Sequence, residues 1–139
     1  MSLQVNGERL TAWLADLAQI GGTASGGVTR FALTEGDRQA RQWLIDRANE
    51  HGLAHRVDAA GNLFIHQATP EGRQVILAGS HVDTVPEGGR YDGALGVLAA
   101  RSGRVRRRTR QPGRLGGVSR ALTRASPLEC LPKSGDVEL

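Results

Sequence analysis

Apolar residues recur at helical spacing in two segments of this chain and predict two helices that face a core. The two sets of apolar positions are Leu10, Trp13, Leu14 and Leu17, and then Ala40, Trp43, Leu44 and Ala48. Asn6 precedes the first set and is expected to cap that helix, whereas Thr34 and Asp37 form the pattern of a capping box for the second. His51 and Gly52 follow the second set, so we expect His51 to be a helix cap rather than a ligand.

Three shorter segments carry the pattern of β-strands. Residues 55–57 and 62–67 flank a turn, and alternation in the second places Leu63 and Ile65 on one face. Residues 75–78 are a continuous apolar run, which is typical of a buried strand. Helices and strands mixed in this way indicate the α/β class, in which the chemistry lies at the carboxyl ends of strands.

The segment that follows the apolar run, residues 79–93, reads Gly-Ser-His-Val-Asp-Thr-Val-Pro-Glu-Gly-Gly-Arg-Tyr-Asp-Gly and combines metal-ligand side chains with glycines. His81 would stand where the strand ends, and an imidazole is a good ligand for a borderline metal ion. Asp83 could hydrogen-bond the other ring nitrogen and fix the tautomer, and Asp92 could bridge two cations. A simpler interpretation remains open for each residue: His81 and Asp83 as an ordinary polar pair, and Asp92 as a helix N-cap.

The run resembles the metal-binding signature of a family of zinc-dependent amidohydrolases, written Gly-Ser-His-x-Asp-Thr-Val-x-x-Gly-Gly-x-x-Asp-Gly. The matching positions are Gly79, Ser80, His81, Asp83, Thr84, Val85, Gly88, Gly89, Asp92 and Gly93. This family is the N-carbamoyl-L-amino-acid hydrolase, allantoate amidohydrolase and β-ureidopropionase branch of the aminoacylase and carboxypeptidase-like metallohydrolase superfamily. Scaffold positions of that branch also match, at Asp37, Ala40, Arg41, Gly52, Leu53, Asp58, Gly61, Asn62 and Leu63.

The resemblance implies an α/β fold, namely the amino-terminal part of a three-layer αβα metallohydrolase catalytic domain. It implies that His81 ligates one metal ion, that Asp92 bridges two, and that Asp83 orients His81. The cofactors would be two divalent cations, either zinc or else manganese, cobalt or nickel. The reaction would be hydrolysis of a linear amide or ureido carbon–nitrogen bond in a small substrate such as an N-carbamoyl amino acid or allantoate.

The same resemblance places the glutamate general base, further ligands and the lid domain used for homodimerisation beyond the matching part. No Glu-Glu pair occurs after residue 100, and no histidine occurs after His81. We therefore expect an amino-terminal fragment that is inactive as written and binds metal weakly or not at all. The part through which the family usually forms its homodimer would also be missing.

Charge is distributed unevenly along the 139 residues, whose formal net charge is +4 with a pI of about 10.5. Residues 1–100 contain 8 basic and 11 acidic side chains, and residues 101–139 contain 10 basic and 3 acidic ones, so the basicity belongs to the C-terminal part. Cys130 is the single cysteine, which excludes an internal disulfide. No apolar run approaches the roughly 20 residues of a membrane span, so we expect a cytoplasmic protein without a membrane partner.

The sequence changes character at Arg101, after which there is no aromatic residue and no sustained period. We therefore divide the chain into residues 1–100, an incomplete metallohydrolase domain, and residues 101–139, a disordered tail. An arginine-rich arm that binds nucleic acid or a membrane surface would make the chain a small basic binding protein. A frameshift in a GC-rich gene would also enrich Arg, Gly, Pro, Ala and Ser. Because the change begins inside an apolar helix, we favour the frameshift and expect no nucleic-acid partner.

Overall fold

The computed structural model describes residues 5–68, 75–108 and 118–123. The elements, in chain order, are helices α1 (Gly7–Gln19) and α2 (Glu35–Glu50), strands β1 (Ala54–Val57), β2 (Leu63–His66) and β3 (Val75–Ser80), helix α3 (Ala94–Arg108) and strand β4 (Val118–Thr123). None of the helices that the structure describes has both the length and the apolar character needed to cross a membrane.

The four strands form one mixed sheet in the order β1-β2-β4-β3. Strand β1 pairs antiparallel with β2, so that Val57 lies opposite Leu63, and β2 pairs antiparallel with β4. Strand β3 runs parallel to β4, with Ala78 opposite Ala121. Helices packed on this sheet confirm the predicted α/β class.

The three helices share one core with a single face of β2. The buried hydrophobic residues of this core are Trp13, Leu14, Leu17, Ala40, Leu44, Ala48, Leu53, Leu63, Ile65, Val82, Ala94, Val97 and Leu98. On β2, Leu63 and Ile65 are buried whereas the residues that alternate with them are half-buried, as predicted. The predicted apolar faces of α1 and α2 are also confirmed, with Leu10 and Trp43 partly buried against the core.

The two helix starts differ in how they are capped. Asn6 caps α1 as predicted, since its Oδ1 accepts a hydrogen bond from a first-turn N–H at 2.9 Å. Thr34 precedes α2, but its side chain makes no capping hydrogen bond. The Thr34 hydroxyl donates instead to the Phe31 carbonyl, while the Asp37 carboxylate accepts the Leu33 N–H. The predicted capping box is therefore wrong, because the turn before α2 engages both side chains.

The helix after residue 93 does not stop at residue 100. Helix α3 continues to Arg108, and the side chain of Arg101 is buried, with 1% of its surface exposed. Residues 118–123 form β4, which pairs with β2 on one side and β3 on the other. The predicted disorder after residue 100 is therefore wrong for these two segments. Arginine is a strong helix former, and the main-chain groups of β4 find hydrogen-bonding partners on both sides.

The rest of the predicted tail, residues 109–117 and 124–139 with Cys130, lies outside the described residues. The expectation of disorder there stays a prediction. The division of the chain at residue 100 and the frameshift as its origin likewise stay predictions.

Candidate metal centre

His81 follows directly after β3, at the carboxyl end of the strand. Its side chain is 38% exposed. The Nδ1 atom lies 3.0 Å from the main-chain carbonyl oxygen of Asp83 and 3.4 Å from the carboxylate Oδ1 of the same residue. Because two oxygen acceptors surround Nδ1, the favoured tautomer carries its proton there and donates it to the Asp83 carbonyl. The lone pair of Nε2 is then free for a ligand.

Asp83 holds His81 chiefly through its main chain. The carbonyl lies within hydrogen-bond range of Nδ1, whereas the 3.4 Å between Nδ1 and Oδ1 is longer than an ordinary hydrogen bond. The carboxylate is 16% exposed, and its Oδ1 makes no hydrogen bond among the described residues. Asp83 therefore contributes a positioning carbonyl and a nearby negative charge, and both favour a proton on Nδ1.

The second predicted ligand, Asp92, lies in the turn that leads into α3. Gly93 follows it with a left-handed φ of 65° and packs against the His81 ring, because a Cβ built there would lie 2.6 Å from both Nδ1 and Cε1. The turn thereby brings the main chain of Asp92 towards His81. The Asp92 side chain is exposed, and its main-chain carbonyl accepts the Ala94 N–H at 2.6 Å. Helix α3 begins at Ala94, two residues after Asp92, so the simpler interpretation of Asp92 as an N-cap stays open.

A second segment, residues 21–30, lies along the loop after β3, and we call it the clasp. Val28 and Gly88 exchange two main-chain hydrogen bonds, of 2.9 and 2.8 Å. The Arg30 N–H donates to the Thr84 hydroxyl at 2.8 Å, and the Thr84 N–H donates to the Arg30 carbonyl, also at 2.8 Å. The composition of this segment, rich in Gly, Ser and Thr, is typical of an irregular loop. The structure shows that this loop fixes the path of the candidate metal-binding segment.

Arg30 is the buried charged side chain of the clasp, with 3% of its surface exposed. Its Nε donates to the Val82 carbonyl at 2.7 Å, and its Nη1 donates to the Leu17 and Ile20 carbonyls at 3.0 and 2.6 Å. Burial lowers the pKa of Arg30 from its ordinary value, and nearby carboxylates, including Asp83, oppose that shift. Sequence reasoning missed this residue. Its one signal was a single charged side chain in an otherwise uncharged segment.

The arrangement offers two accessible donors for a metal ion, the free Nε2 of His81 and the exposed carboxylate of Asp92. An imidazole nitrogen and a carboxylate oxygen suit a borderline divalent cation such as zinc, manganese, cobalt or nickel. Within residues 5–68, 75–108 and 118–123, no three His, Cys, Asp or Glu side chains converge as a ligand set. His81 and Asp92 therefore stay candidate ligands, without a third such side chain beside them among the described residues.

Several curated proteins are similar to this chain, although no protein-family model matches it. An N-carbamoyl-L-amino acid amidohydrolase of Geobacillus stearothermophilus is 44% identical over 96 residues, which are 68% of this chain and 24% of that protein. An allantoate amidohydrolase of Bacillus subtilis is 44% identical over 92 residues, which are 66% of this chain and 22% of that protein.

Solved structures share the fold as well. The crystal structure of an amidase of the hydantoinase/carbamoylase family from Burkholderia multivorans matches with a TM-score of 0.80 at 34% sequence identity. That match covers 88% of this chain and 30% of the amidase. The chain thus spans less than a third of the length of each of these three proteins. In sequence and in fold, this chain is therefore similar to part of the N-carbamoyl-L-amino acid and allantoate amidohydrolases and of the amidases of the hydantoinase/carbamoylase family.

Proposed function

We propose that this chain is the part of a metal-dependent amidohydrolase that carries the metal-binding loop, residues 79–93. The whole enzyme would hydrolyse linear carbon–nitrogen bonds in N-carbamoyl amino acids or allantoate. The observation that carries the proposal is the contact of His81 with Asp83, which holds Nδ1 and leaves Nε2 free beside the turn that bears Asp92. The names of the relatives support the substrate class, because they specify N-carbamoyl amino acids and allantoate. The substrate would be a small ureido or amide compound.

Each residue of the centre has a separate task under this proposal. His81 would hold one cation through Nε2, and Asp92 would bridge two through its two carboxylate oxygens. When bound, two divalent cations supply Lewis acidity towards the substrate carbonyl and the attacking water. Asp83 keeps the proton on Nδ1, so that Nε2 carries no proton and its lone pair can bind the cation. Gly93 leaves the space that the His81 ring occupies.

We also propose that the chain alone does not turn over substrate. Glu87, which lies in the same loop as His81, is held by the hydroxyl groups of Ser25 and Thr23, and these hydrogen bonds lower the pKa of its carboxyl group. A carboxylate stabilised in its ionised form is a poor general base. The general base, the remaining ligands and the homodimer contacts would come from the further length that the relatives possess.

Metal binding tests the assignment of His81 and Asp92. Co²⁺ is titrated by calorimetry into the unchanged chain, into His81→Ala and into Asp92→Asn. His55→Ala is the matched control, since His55 is exposed on β1. We expect weak binding by the unchanged chain and the control, and binding weaker by about tenfold or more in the other two variants. Equal Co²⁺ uptake by His81→Ala would refute His81 as a ligand.

Activity is measured on the same samples. The Co²⁺-saturated chain is incubated with an N-carbamoyl amino acid or with allantoate, and released ammonia is followed. We expect no release. Ammonia production that disappears in His81→Ala would show that the catalytic groups lie within this chain, and would overturn the proposed inactivity.

A further inference from the structure

Both neighbours of Asp83 in the chain are held by Arg30. The guanidinium Nε donates to the Val82 carbonyl at 2.7 Å, and the main chain of Arg30 exchanges hydrogen bonds with the hydroxyl and the N–H of Thr84, each at 2.8 Å. Arg30 is 3% exposed and Thr84 is 9% exposed, so water has little access to these bonds. The segment between Val82 and Thr84 is therefore fixed from the interior of the fold.

One peptide unit connects these contacts to His81. The Thr84 N–H and the Asp83 carbonyl belong to the same planar group, and they point in opposite directions because the described chain has no cis peptide bond. The N–H of this group donates to the Arg30 carbonyl, and its oxygen accepts the proton on Nδ1 of His81 at 3.0 Å. The orientation that Arg30 imposes on the N–H thus sets the direction of the oxygen that holds the imidazole.

The other end of the guanidinium anchors Arg30 to the scaffold. Nη1 donates to the carbonyls of Leu17 and Ile20, at the C-terminal end of α1. Helix termini leave such carbonyls without partners inside the helix. The loop after β3 is in this way tied to α1 through one side chain.

We propose that Arg30 is a positioning residue for His81, which acts by orienting the peptide group between Asp83 and Thr84 so that Nδ1 is held and Nε2 faces the cation. This inference rests on the proposed function, because it gives His81 the role of a ligand. Arg30 itself touches neither substrate nor cation. Its effect passes through hydrogen bonds that are seen in the fold.

The shape of the guanidinium is essential to this role. Its Nε and Nη1 donate in two directions, towards Val82 and towards the end of α1, and they are fixed in one plane. A lysine ammonium is a single point on a flexible stem, so Arg30→Lys retains the charge but cannot hold both sites at once. The variant therefore separates geometry from charge.

The experiment measures two properties of His81 and one of the whole fold. Nitrogen-15 NMR at mildly alkaline pH gives the tautomer of His81, whose signals are identified by their loss in His81→Ala. Co²⁺ titration gives the affinity, and thermal unfolding gives the Tm. The samples are the full chain, Arg30→Lys and a matched destabilised control, Ile45→Ala, which removes a partly buried side chain of α2 outside the clasp.

The proposal expects Arg30→Lys to reduce the excess of the Nδ1–H tautomer and to weaken Co²⁺ binding by about tenfold. Ile45→Ala is expected to lower the Tm while leaving the tautomer and the affinity unchanged. An unchanged tautomer in Arg30→Lys overturns the proposal. Equal changes in Ile45→Ala also overturn it, because Arg30 would then act only through stability.

Two further results keep the test decisive. If Co²⁺ binds the unchanged chain and His81→Ala equally, the proposed metal function fails, but the tautomer still decides whether Arg30 orients His81. If Arg30→Lys does not fold, Thr84→Val replaces it, because this change removes the hydroxyl that accepts the Arg30 N–H and donates to the Val28 carbonyl, and it leaves the guanidinium in place. A tautomer unchanged in Thr84→Val then counts against the proposal.

Discussion

The α-carbon of Gly93 lies against the imidazole of His81, with no room between them for a side chain. A Cβ at this position would stand 2.6 Å from Nδ1 and Cε1. The two residues are joined by the loop that carries Asp92, so the approach of the helix N-terminus to the histidine determines where both predicted ligands lie. Gly93 also has a φ of 65°, a conformation that other residues adopt at a cost.

Gly93→Ala should displace the His81 ring and weaken Co²⁺ binding by about tenfold or more. The control is Gly89→Ala in the same loop, where a Cβ would meet nothing within 4 Å. Titration of both variants beside the unchanged chain checks the prediction. Wild-type affinity in Gly93→Ala would mean that the ring can move and still bind.

Arg101→Met should stabilise the fold. The guanidinium carbon of Arg101 lies 4.9 Å from the centre of the Trp13 ring, and Nη1 donates to the Leu44 carbonyl at 3.1 Å, but Nε and Nη2 have no hydrogen-bond partner among the described residues. Burial lowers the pKa of Arg101 to about 10, because it separates the guanidinium charge from water. Replacing a buried charge by an apolar side chain of similar length should raise the free energy of unfolding by about 1 to 3 kcal/mol.

Urea denaturation measures this change, and Arg38→Met is the control. Arg38 is paired with Glu35 on the surface, so its replacement should leave the denaturation midpoint nearly unchanged. A lower midpoint for Arg101→Met would mean that the contacts with Trp13 and Leu44 outweigh the cost of burying the charge.

Acidification should destabilise the chain through His51. This residue caps the end of α2, as predicted, and its ring lies 5.9 Å from that of Trp13. Burial, followed by the positive charge of Arg101, lowers the pKa of His51 below 6.5. As the pH falls below that value, the unfolded chain takes up a proton before the folded chain does, so the free energy of unfolding decreases until the pH reaches the lower folded pKa.

Thermal unfolding followed from neutral pH down to mildly acidic pH tests this dependence. The Tm of His51→Gln should fall less on acidification than the Tm of the unchanged chain. The Tm of His55→Gln, which changes an exposed histidine of β1, should fall as much as that of the unchanged chain. Identical pH profiles for the unchanged chain and His51→Gln would contradict the prediction.

The sequence was sufficient for the elements that a period or a motif defines. The apolar spacing of α1 and α2 and the alternation at Leu63 and Ile65 identified the core-facing positions. The run from Gly79 to Gly93 gave the residues around His81. The core-facing predictions succeeded because each depends on residues that are near one another in the chain, whereas the metal-ligand roles of His81 and Asp92 stay predictions.

The contacts of Arg30 could not be predicted in the same way. Its partners Val82 and Thr84 are more than fifty positions away, and most of the acceptors are main-chain carbonyls that every residue possesses. The prediction that Thr34 caps α2 was wrong for a related reason, since its hydroxyl donates a local hydrogen bond to the Phe31 carbonyl instead. The continuation of α3 to Arg108 was not predicted, because the apolar pattern ends at residue 100 and a helix can continue without one.

Because β4 lies inside the sheet but is the last of its strands to be synthesised, the sheet can form only late in translation. Strands β2 and β3 follow each other in the chain, yet each is paired with β4 rather than with the other. A ribosome that has released only the segments up to β3 therefore holds a hairpin of β1 and β2 and a separate strand. The sheet can close only after residue 123 has emerged from the exit tunnel. Until then the nascent chain exposes the edges of β2 and β3 that β4 later covers, and unpaired strand edges of this kind favour aggregation.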